Sequence, residues 1–165
     1  MSEATFLAAW MPHLMLAPIM LPLLSAAVML LLPEEKHRTK LVLNLGSTLL
    51  GLVITCALLV WAQQQGEPAT MGVYLPGNWP APFGIALALD RLSALMLVLT
   101  SAVGLAAALY GSARWYRAGV HYHPLFQFQL MGLSGAFLTA DLFNLFVFFE
   151  IMLAASYGLL LHGSG

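Results

Sequence analysis

The chain has 165 residues, of which 61% are hydrophobic and 8% are charged, and its formal net charge is −1 at pH 7. Ordinary soluble domains carry about 25% charged residues, so this composition excludes a soluble globular fold and favours an integral membrane protein. The near-neutral charge argues against nucleic acid as a partner, because nucleic acid selects basic surfaces. Cys56 is the single cysteine, which excludes a disulfide bond within the chain.

Five hydrophobic segments approach the length of about 20 residues that a helix needs to cross a hydrocarbon core of about 30 Å. In chain order they are residues 12–32, 41–61, 92–112, 124–140 and 142–161. Each must be helical in lipid, because a helix satisfies its own backbone polar groups there. We therefore predict an all-α integral membrane protein with about five transmembrane helices, which form a single membrane domain over residues 1–165.

Two of these segments have special features. The first contains Pro12, Pro18 and Pro22, which predicts a kinked or irregular helix. It is preceded by a tail without the positive charges of a secretory signal, which argues against a cleaved signal peptide. The fourth segment is short and is separated from the fifth by Asp141 alone, which predicts a tight helical hairpin with Asp141 capping the fifth helix.

The basic residues predict how the chain crosses the membrane. Five of the six fall in the loops before the second and the fourth segments, and they are Lys36, Arg38, Lys40, Arg114 and Arg117. The sixth, Arg91, begins the third segment, where its long side chain is predicted to reach the outer interface. The positive-inside rule places both loops in the cytoplasm. The N-terminus and the loop 62–90 then face outward, and His162 ends on the cytoplasmic side. Proline and glycine exclude a helix through the middle of the outer loop, while residues 83–90 are predicted as a short strand or an interfacial segment.

Glu150 is the residue that points most directly to function, because it lies eight residues inside the otherwise almost wholly apolar fifth segment. A charged group at the centre of a bilayer costs roughly 2.5–3.5 kcal/mol. Such groups are retained where they move ions or protons, or where they pair with a buried partner. Helical spacing predicts the residues that share its face: Phe143, Phe146, Val147, Leu153, Ala154 and Tyr157. We interpret Glu150 as the acid of a proton pathway; the alternative is a neutral side chain in an interhelical hydrogen bond.

Three further residues, one within the fifth segment and one at each end of it, are candidates for a proton relay. The hydroxyl of Tyr157 is predicted on the face of Glu150. His162 ends the helix, and an ordinary histidine titrates close to neutral pH. Asp141 begins the helix, where an N-cap also explains it.

The remaining polar residues give weaker signals. Gly132, Ser134 and Gly135 predict close packing of the fourth helix, while Gln127, Gln129, Ser134 and Thr139 are candidates for lining a wet path along it. His121 and His123 form an H-x-H pair, but without further ligands they do not predict a metal site. The motifs of phosphate, dinucleotide and zinc sites are missing from the sequence. We therefore predict no cofactor, no metal and no enzymatic activity of the chain itself.

The stretch from His123 to His162 closely resembles the D subunit of Mrp-type (also Pha or Mnh) multisubunit monovalent cation/proton antiporters. Its sequence is HPLFQFQLMGLSGAFLTADLFNLFVFFEIMLAASYGLLLH. The segment DRLSALM that begins at Asp90 resembles the start of the third helix in that family. The family is related to the antiporter-like membrane subunits of respiratory complex I. The resemblance covers most of the chain and is most specific from His123 onward.

The resemblance implies a subunit of a large hetero-oligomer in the inner membrane of a bacterium, which exchanges Na⁺ or K⁺ for protons. Its partners would be other membrane subunits, the lipid bilayer and the transported ions. Glu150 would be the essential acid, and in the family its partner is a lysine on the seventh helix. Family members have about fourteen helices, with two inverted five-helix repeats. Since this chain stops at Gly165, we expect the N-terminal part of such a subunit, either a fragment or a truncated product.

Two alternatives remain open from the sequence. The chain could be a structural or assembly subunit that does not conduct. It could also be a proton-pumping membrane subunit of a complex I-like NADH:quinone oxidoreductase or a membrane hydrogenase. The sequence LFNLFVFFE, which ends at Glu150, favours the Mrp type over this last alternative.

Overall fold

The computed structural model describes residues 10–64, 72–79, 84–114 and 121–162. Its named elements, in chain order, are α1 (Ala17–Leu31), α2 (His37–Gln64), β1 (Gly72–Tyr74), a 3₁₀ turn (Pro76–Asn78), β2 (Leu87–Leu89), α3 (Arg91–Arg114), α4 (Tyr122–Leu138) and α5 (Leu142–Leu160). Each of the five predicted segments overlaps one of the five named helices, so the predicted all-α class is confirmed.

The predicted number of about five spans is a little high. Among the described residues, three helices are long and apolar enough to cross a membrane: His37–Gln64, Arg91–Ala113 and Leu142–Leu160. α1 has 15 residues, because a turn at Met15 and Leu16 separates it from helical residues 10–14. Proline causes this irregularity, since Pro18 lies in the first turn of α1 and Pro22 lies inside it. α4 has 17 residues and carries two glutamines, which lower its hydropathy.

α4 is the central helix of the bundle, since it contacts each of the other four helices. Glycine allows its closest approaches. A Cβ atom at Gly135 would overlap the ring of Phe148 in α5, and one at Gly132 would meet the backbone and side chain of Met152. The predicted small-residue face of α4 is therefore the surface against which α5 packs.

One end of the bundle is covered by the connection between α2 and α3. β1 and β2 pair antiparallel, with Gly72 opposite Leu89 and Tyr74 opposite Leu87. β2 also forms a bridge to Thr139 in the turn between α4 and α5. The short strand predicted within 83–90 is thus present. The described residues 84–90 of the outer loop and the α4–α5 turn thus meet at one end, as the predicted alternation requires.

The opposite end collects basic side chains from α2, from the start of α4 and from the residues after α5. His37, Lys40 and His162 all interact electrostatically with His123 there. Arg117 lies outside the described residues. The second helix begins at His37, earlier than predicted, so Lys40 lies within α2 and is buried.

The interior of the bundle is divided into an apolar half and a polar half. The apolar core lies near the strands and includes Met15, Leu58, Leu87, Leu97, Leu138 and Phe148. Most of the buried polar side chains lie towards the basic end and in the middle: Lys40, Asn44, Thr48, Thr55, Ser101, His123, Gln127 and Ser134. Asn144 is the exception among the described residues, because it is buried beside the α4–α5 turn, where it donates to Thr139. The polar half of the interior is one place where polar chemistry is possible. The exposed side of α5 that carries Glu150 is the other.

Candidate functional site

Glu150 lies near the middle of α5, on an exposed face. The other members of this face are also exposed, as the helical spacing predicts: Phe143, Phe146, Val147, Leu153, Ala154 and Tyr157. Phe143 is 75% exposed and Tyr157 is 61% exposed. We call this set, with Glu150, the Glu150 face.

The opposite side of α5 explains this orientation. Asn144, Phe148 and Ala155 are buried, and Phe148 packs against the glycines of α4. In a bilayer the Glu150 face would present a carboxyl group to hydrocarbon, where a charge costs roughly 2.5–3.5 kcal/mol. A neighbouring polar group, on a helix packed against this face, would remove that penalty.

The predicted relay residues do not form one cluster around Glu150. Tyr157 is on the same face but two turns away, about 10 Å along the helix axis. The described residues show no hydrogen bond between the two side chains. Asp141 and His162 lie at opposite ends of α5, about 14 Å and 18 Å from Glu150 along the axis.

Asp141 is the N-cap of α5. Its Oδ1 accepts a hydrogen bond from the amide of Phe143 at 3.1 Å, and its Oδ2 accepts one from the amide of Asn144 at 3.4 Å. These bonds satisfy amide groups that have no partner within the helix. The predicted capping role is confirmed, and both carboxylate oxygens are engaged in it.

His162 follows α5 and packs against α4. Its ring centroid is 5.5 Å from that of Tyr122, and its Nε2 is buried without a hydrogen-bond partner among the described residues. Burial, and secondarily the charge of His121, lowers the pKa of His162 below its ordinary value. The neutral imidazole is therefore favoured at this end of the bundle.

A second group of polar side chains lies inside the bundle, and the sequence analysis did not identify most of it. Lys40, Asn44 and Thr48 follow one another at intervals of four residues on the buried side of α2. They face His123 and Gln127 of α4. We call these five residues the α2–α4 polar cluster. The sequence carries one signal for this cluster, which is the helical spacing of its polar residues. Of the five residues, only Gln127 is among the candidates for lining a wet path.

Gln127 is the centre of this cluster. Its Nε2 donates to Asn44 Oδ1 at 2.7 Å, to Thr48 Oγ1 at 3.0 Å and to the Asn44 carbonyl at 3.2 Å. Its Oε1 accepts from Ser47 Oγ at 3.4 Å. The hydroxyls of Ser47 and Ser25 are in turn 2.7 Å apart. The hydrogen bonds thus run from α4 through α2 to α1.

A small cavity continues the polar region towards the middle of the bundle. It has a volume of about 20 Å³. Its polar lining consists of Ser47, Thr48, Thr55, Thr100, Ser101, Gln127 and Ser134, from α2, α3 and α4. We call it the central cavity. Among the described residues that line it, none belongs to α5, so it is separate from the Glu150 face.

The other polar residues considered from the sequence have different positions. His121 is exposed whereas His123 is buried, and Gln129 faces α3 with its Oε1 buried and unpaired among the described residues. The Thr139 hydroxyl accepts from Asn144 Nδ2 at 3.1 Å, which ties the α4–α5 turn to α5. Within the described ranges, no group of three or more His, Cys, Asp or Glu residues is placed to bind a metal ion.

Comparisons with known proteins give antiporter subunits and chains of membrane complexes as relatives. No protein-family model matches the chain. The chain is 57% identical over 157 residues to a Rhizobium meliloti protein named as the probable D subunit of a K(+)/H(+) antiporter, covering 94% of this chain and 29% of that protein. It also matches a chain of the Mrp complex from Dietzia sp. DQ12-45-1b, with a TM-score of 0.82 and 32% identity, over 92% of this chain and 27% of that one.

A respiratory complex gives a further structural match. The membrane-bound sulfane sulfur reductase, an archaeal respiratory membrane complex, contains a chain that matches with a TM-score of 0.74 and 28% identity, over 89% of this chain and 30% of that one. This chain thus spans less than a third of the length of the relatives it matches. Its apolar helices and these relatives identify it as a multi-pass membrane protein.

Proposed function

We propose that this chain, which is related to the D subunits of multisubunit cation/proton antiporters, contributes Glu150 to a proton pathway in such a complex. The relationship extends over nearly the whole chain. The observation that carries the role of Glu150 is its position, near the middle of a membrane-spanning helix on a face that no other described element covers. In this account a helix with a basic or hydrogen-bonding group packs on that face.

The chemistry required of Glu150 is reversible protonation. A carboxyl group in hydrocarbon favours its neutral form, and a nearby cation favours the carboxylate. A covering helix that brings a positive group would therefore make proton uptake and release depend on the position of that group. The proposed cation is Na⁺ or K⁺, and the proposed location is the inner membrane of a bacterium.

The test is charge neutralisation in the full-length protein within its assembled complex. Glu150→Gln keeps the size of the side chain and its hydrogen bonding but cannot carry a proton. Glu35→Gln is the matched control, because Glu35 is exposed in the loop before α2. We expect cation-driven proton movement in everted membrane vesicles to fall at least about a hundredfold in Glu150→Gln, and to be unchanged in Glu35→Gln. Equal transport by all three proteins, at equal complex abundance, would exclude the proposed role.

The second candidate function is a proton-pumping subunit of a redox complex, which the fold match to a respiratory membrane complex favours. The two functions are distinguished by the proteins that purify with the full-length chain. A redox complex would bring flavin or iron–sulfur subunits, whereas an antiporter would bring small hydrophobic subunits. A purely structural role is the third possibility, and it predicts that Glu150→Gln assembles and transports normally.

A further inference from the structure

A groove opens on the side of the bundle at its basic end, between α3, α4 and the end of α5. It has a volume of about 380 Å³, which is within the roughly 300–1,000 Å³ of sites that hold small molecules. Its lining combines three polar side chains with apolar surface: Tyr110, Tyr122 and His162, beside residues that include Ala107, Gly111 and Leu160. We call it the basic-end groove. It shares no described lining residue with the central cavity, so the two are separate.

The groove lies at the depth where a bilayer presents its phosphate groups. α3 ends at Arg114, α4 begins at Tyr122 and α5 ends at Leu160, so three helix ends meet around it. Tyr110 and Tyr122 fit this depth, since tyrosine is enriched at the membrane–water interface. The apolar wall extends further into the membrane, because Ala107 lies about 10 Å before the end of α3. The groove therefore has a polar mouth at the interface and an apolar wall in the hydrocarbon.

The polar groups at the mouth of the groove are not used by the protein itself. Nε2 of His162 is buried without a hydrogen-bond partner among the described residues. The hydroxyls of Tyr110 and Tyr122 make no hydrogen bond within the same ranges. Gly111 lets the Tyr122 hydroxyl lie against α3, where a Cβ atom would overlap it. In native proteins a buried polar atom without a partner often marks a bound water or ion. Three groups that can donate a hydrogen bond thus line the groove.

The electrostatics of this end favour an anion in the groove. His121 acts on His162, and both His162 and Lys40 act on the buried His123. Within the described chain, no carboxylate is among the groups that act on either of these two histidines. The glutamates at 34–35 precede α2 and do not line the groove. Basic pockets between transmembrane helices on the cytoplasmic side are where anionic lipid head groups bind.

We propose that the basic-end groove binds an anionic phospholipid of the cytoplasmic leaflet. The phosphate accepts hydrogen bonds from the hydroxyls of Tyr110 and Tyr122 and from the Nε2–H tautomer of His162. One acyl chain follows Ala107 and Leu160 into the hydrocarbon. A free phosphate ion would match the polar mouth but not the apolar wall, whereas a phospholipid matches both. This site does not depend on the function proposed for Glu150.

The first test identifies the occupant in the full-length protein in its complex. The complex is reconstituted in phosphatidylcholine vesicles that contain a trace of phosphatidylglycerol with a photoactivatable diazirine beside its glycerol backbone. After illumination, mass spectrometry should find adducts in the peptides of Tyr110 and His162. An excess of unlabelled phosphatidylglycerol of about tenfold should lower their yield about tenfold by mass action. The same excess of phosphatidylcholine, or of inorganic phosphate, should not change it.

Three results of this test would overturn the proposal. No adduct at these residues would show that another segment of the protein covers the groove. Equal competition by phosphatidylcholine would show that the groove does not recognise the charge of the head group. Competition by inorganic phosphate would show that it holds a free anion and not a lipid.

The second test fills the groove. Ala107→Phe places a ring in it, and Ala106→Phe makes the same change on the exposed surface of α3 beside it. We expect the adduct yield at His162 to fall about fivefold or more in Ala107→Phe, because the ring occupies the volume that the lipid needs. The yield in Ala106→Phe should equal that of the wild type. Equal yields in both variants would show that the adduct comes from bulk lipid, which would contradict the proposal.

A third variant decides the question if Ala107→Phe fails to assemble. His162→Leu removes one donor to the phosphate and keeps the apolar wall, so the adduct should lose its preference for phosphatidylglycerol over phosphatidylcholine as competitor. An unchanged preference would overturn the assigned role of His162. None of these measurements uses transport as its readout, so their outcome is separate from that of Glu150→Gln.

Discussion

The ring of Phe148 in α5 lies directly against the backbone of Gly135 in α4, where a Cβ atom would overlap it. This contact determines which way α5 faces. Glu150 follows Phe148 by two residues, which is about 200° around a helix. Docking Phe148 inward therefore turns Glu150 outward, onto the exposed face of α5.

Gly135→Ala should weaken the α4–α5 packing. The added methyl overlaps the Phe148 ring, and overpacking of this kind costs about 1–3 kcal/mol. The thermal unfolding of the purified full-length protein should shift to lower temperature. Gly46→Ala is the control, because nothing lies within 4 Å of a Cβ atom there, and alanine favours a helix over glycine by about 1 kcal/mol. Equal effects of the two substitutions would show that the close contact is absent.

Asp141→Ala should destabilise α5 through the loss of its N-cap, by about 0.5–2 kcal/mol. Asp141→Asn should be close to the wild type in stability, because the amide oxygen still accepts from the amide of Phe143. The unfolding midpoint measures both. The same pair tests the relay role considered from the sequence. If Asp141→Asn is stable but transports poorly, the ionisation of Asp141 matters and its role exceeds capping.

Asp90 should make stability depend on pH at the outer end. Its Oδ1 accepts from the amide of Ser93 at 2.6 Å, and this hydrogen bond lowers the pKa of Asp90 below its ordinary value of 3.8. Because the folded-state pKa is the lower one, the stabilisation is fully present above the ordinary pKa. It is lost as the pH falls through the lowered value.

The difference in stability between wild type and Asp90→Asn should therefore shrink on acidification below about pH 4 and stay constant at neutral pH. Unfolding midpoints measured across this range check the effect. A difference that instead grew on acidification would contradict the hydrogen bond to Ser93.

The predicted membrane topology can be tested with variants that carry one introduced cysteine each, after Cys56 is replaced by serine. Trp79 is exposed in the connection between α2 and α3, and Glu35 is exposed before α2. A maleimide that does not cross membranes should label Trp79→Cys in intact cells and Glu35→Cys only after permeabilisation. Labelling in the opposite order would invert the predicted topology.

The helices and the α4–α5 hairpin could be predicted because their signals are local. Asp141 stands between two apolar runs, and the prolines of the first segment mark its break. The polar interior could not be predicted in the same way. The positive charge of Lys40 indicated a loop, whereas α2 begins at His37 and buries it. His123 and Gln127 meet α2 across about 80 residues of sequence, and only the packing of the helices brings them together.

The central claim, that Glu150 is a membrane-embedded acid used in transport, is tested most directly by its reaction with dicyclohexylcarbodiimide. This reagent modifies protonated carboxyl groups in apolar surroundings. Mass spectrometry of the full-length protein should find the adduct at Glu150, and cation-driven proton movement should fall in proportion to the modified fraction. Full modification of Glu150 with transport unchanged would contradict the account.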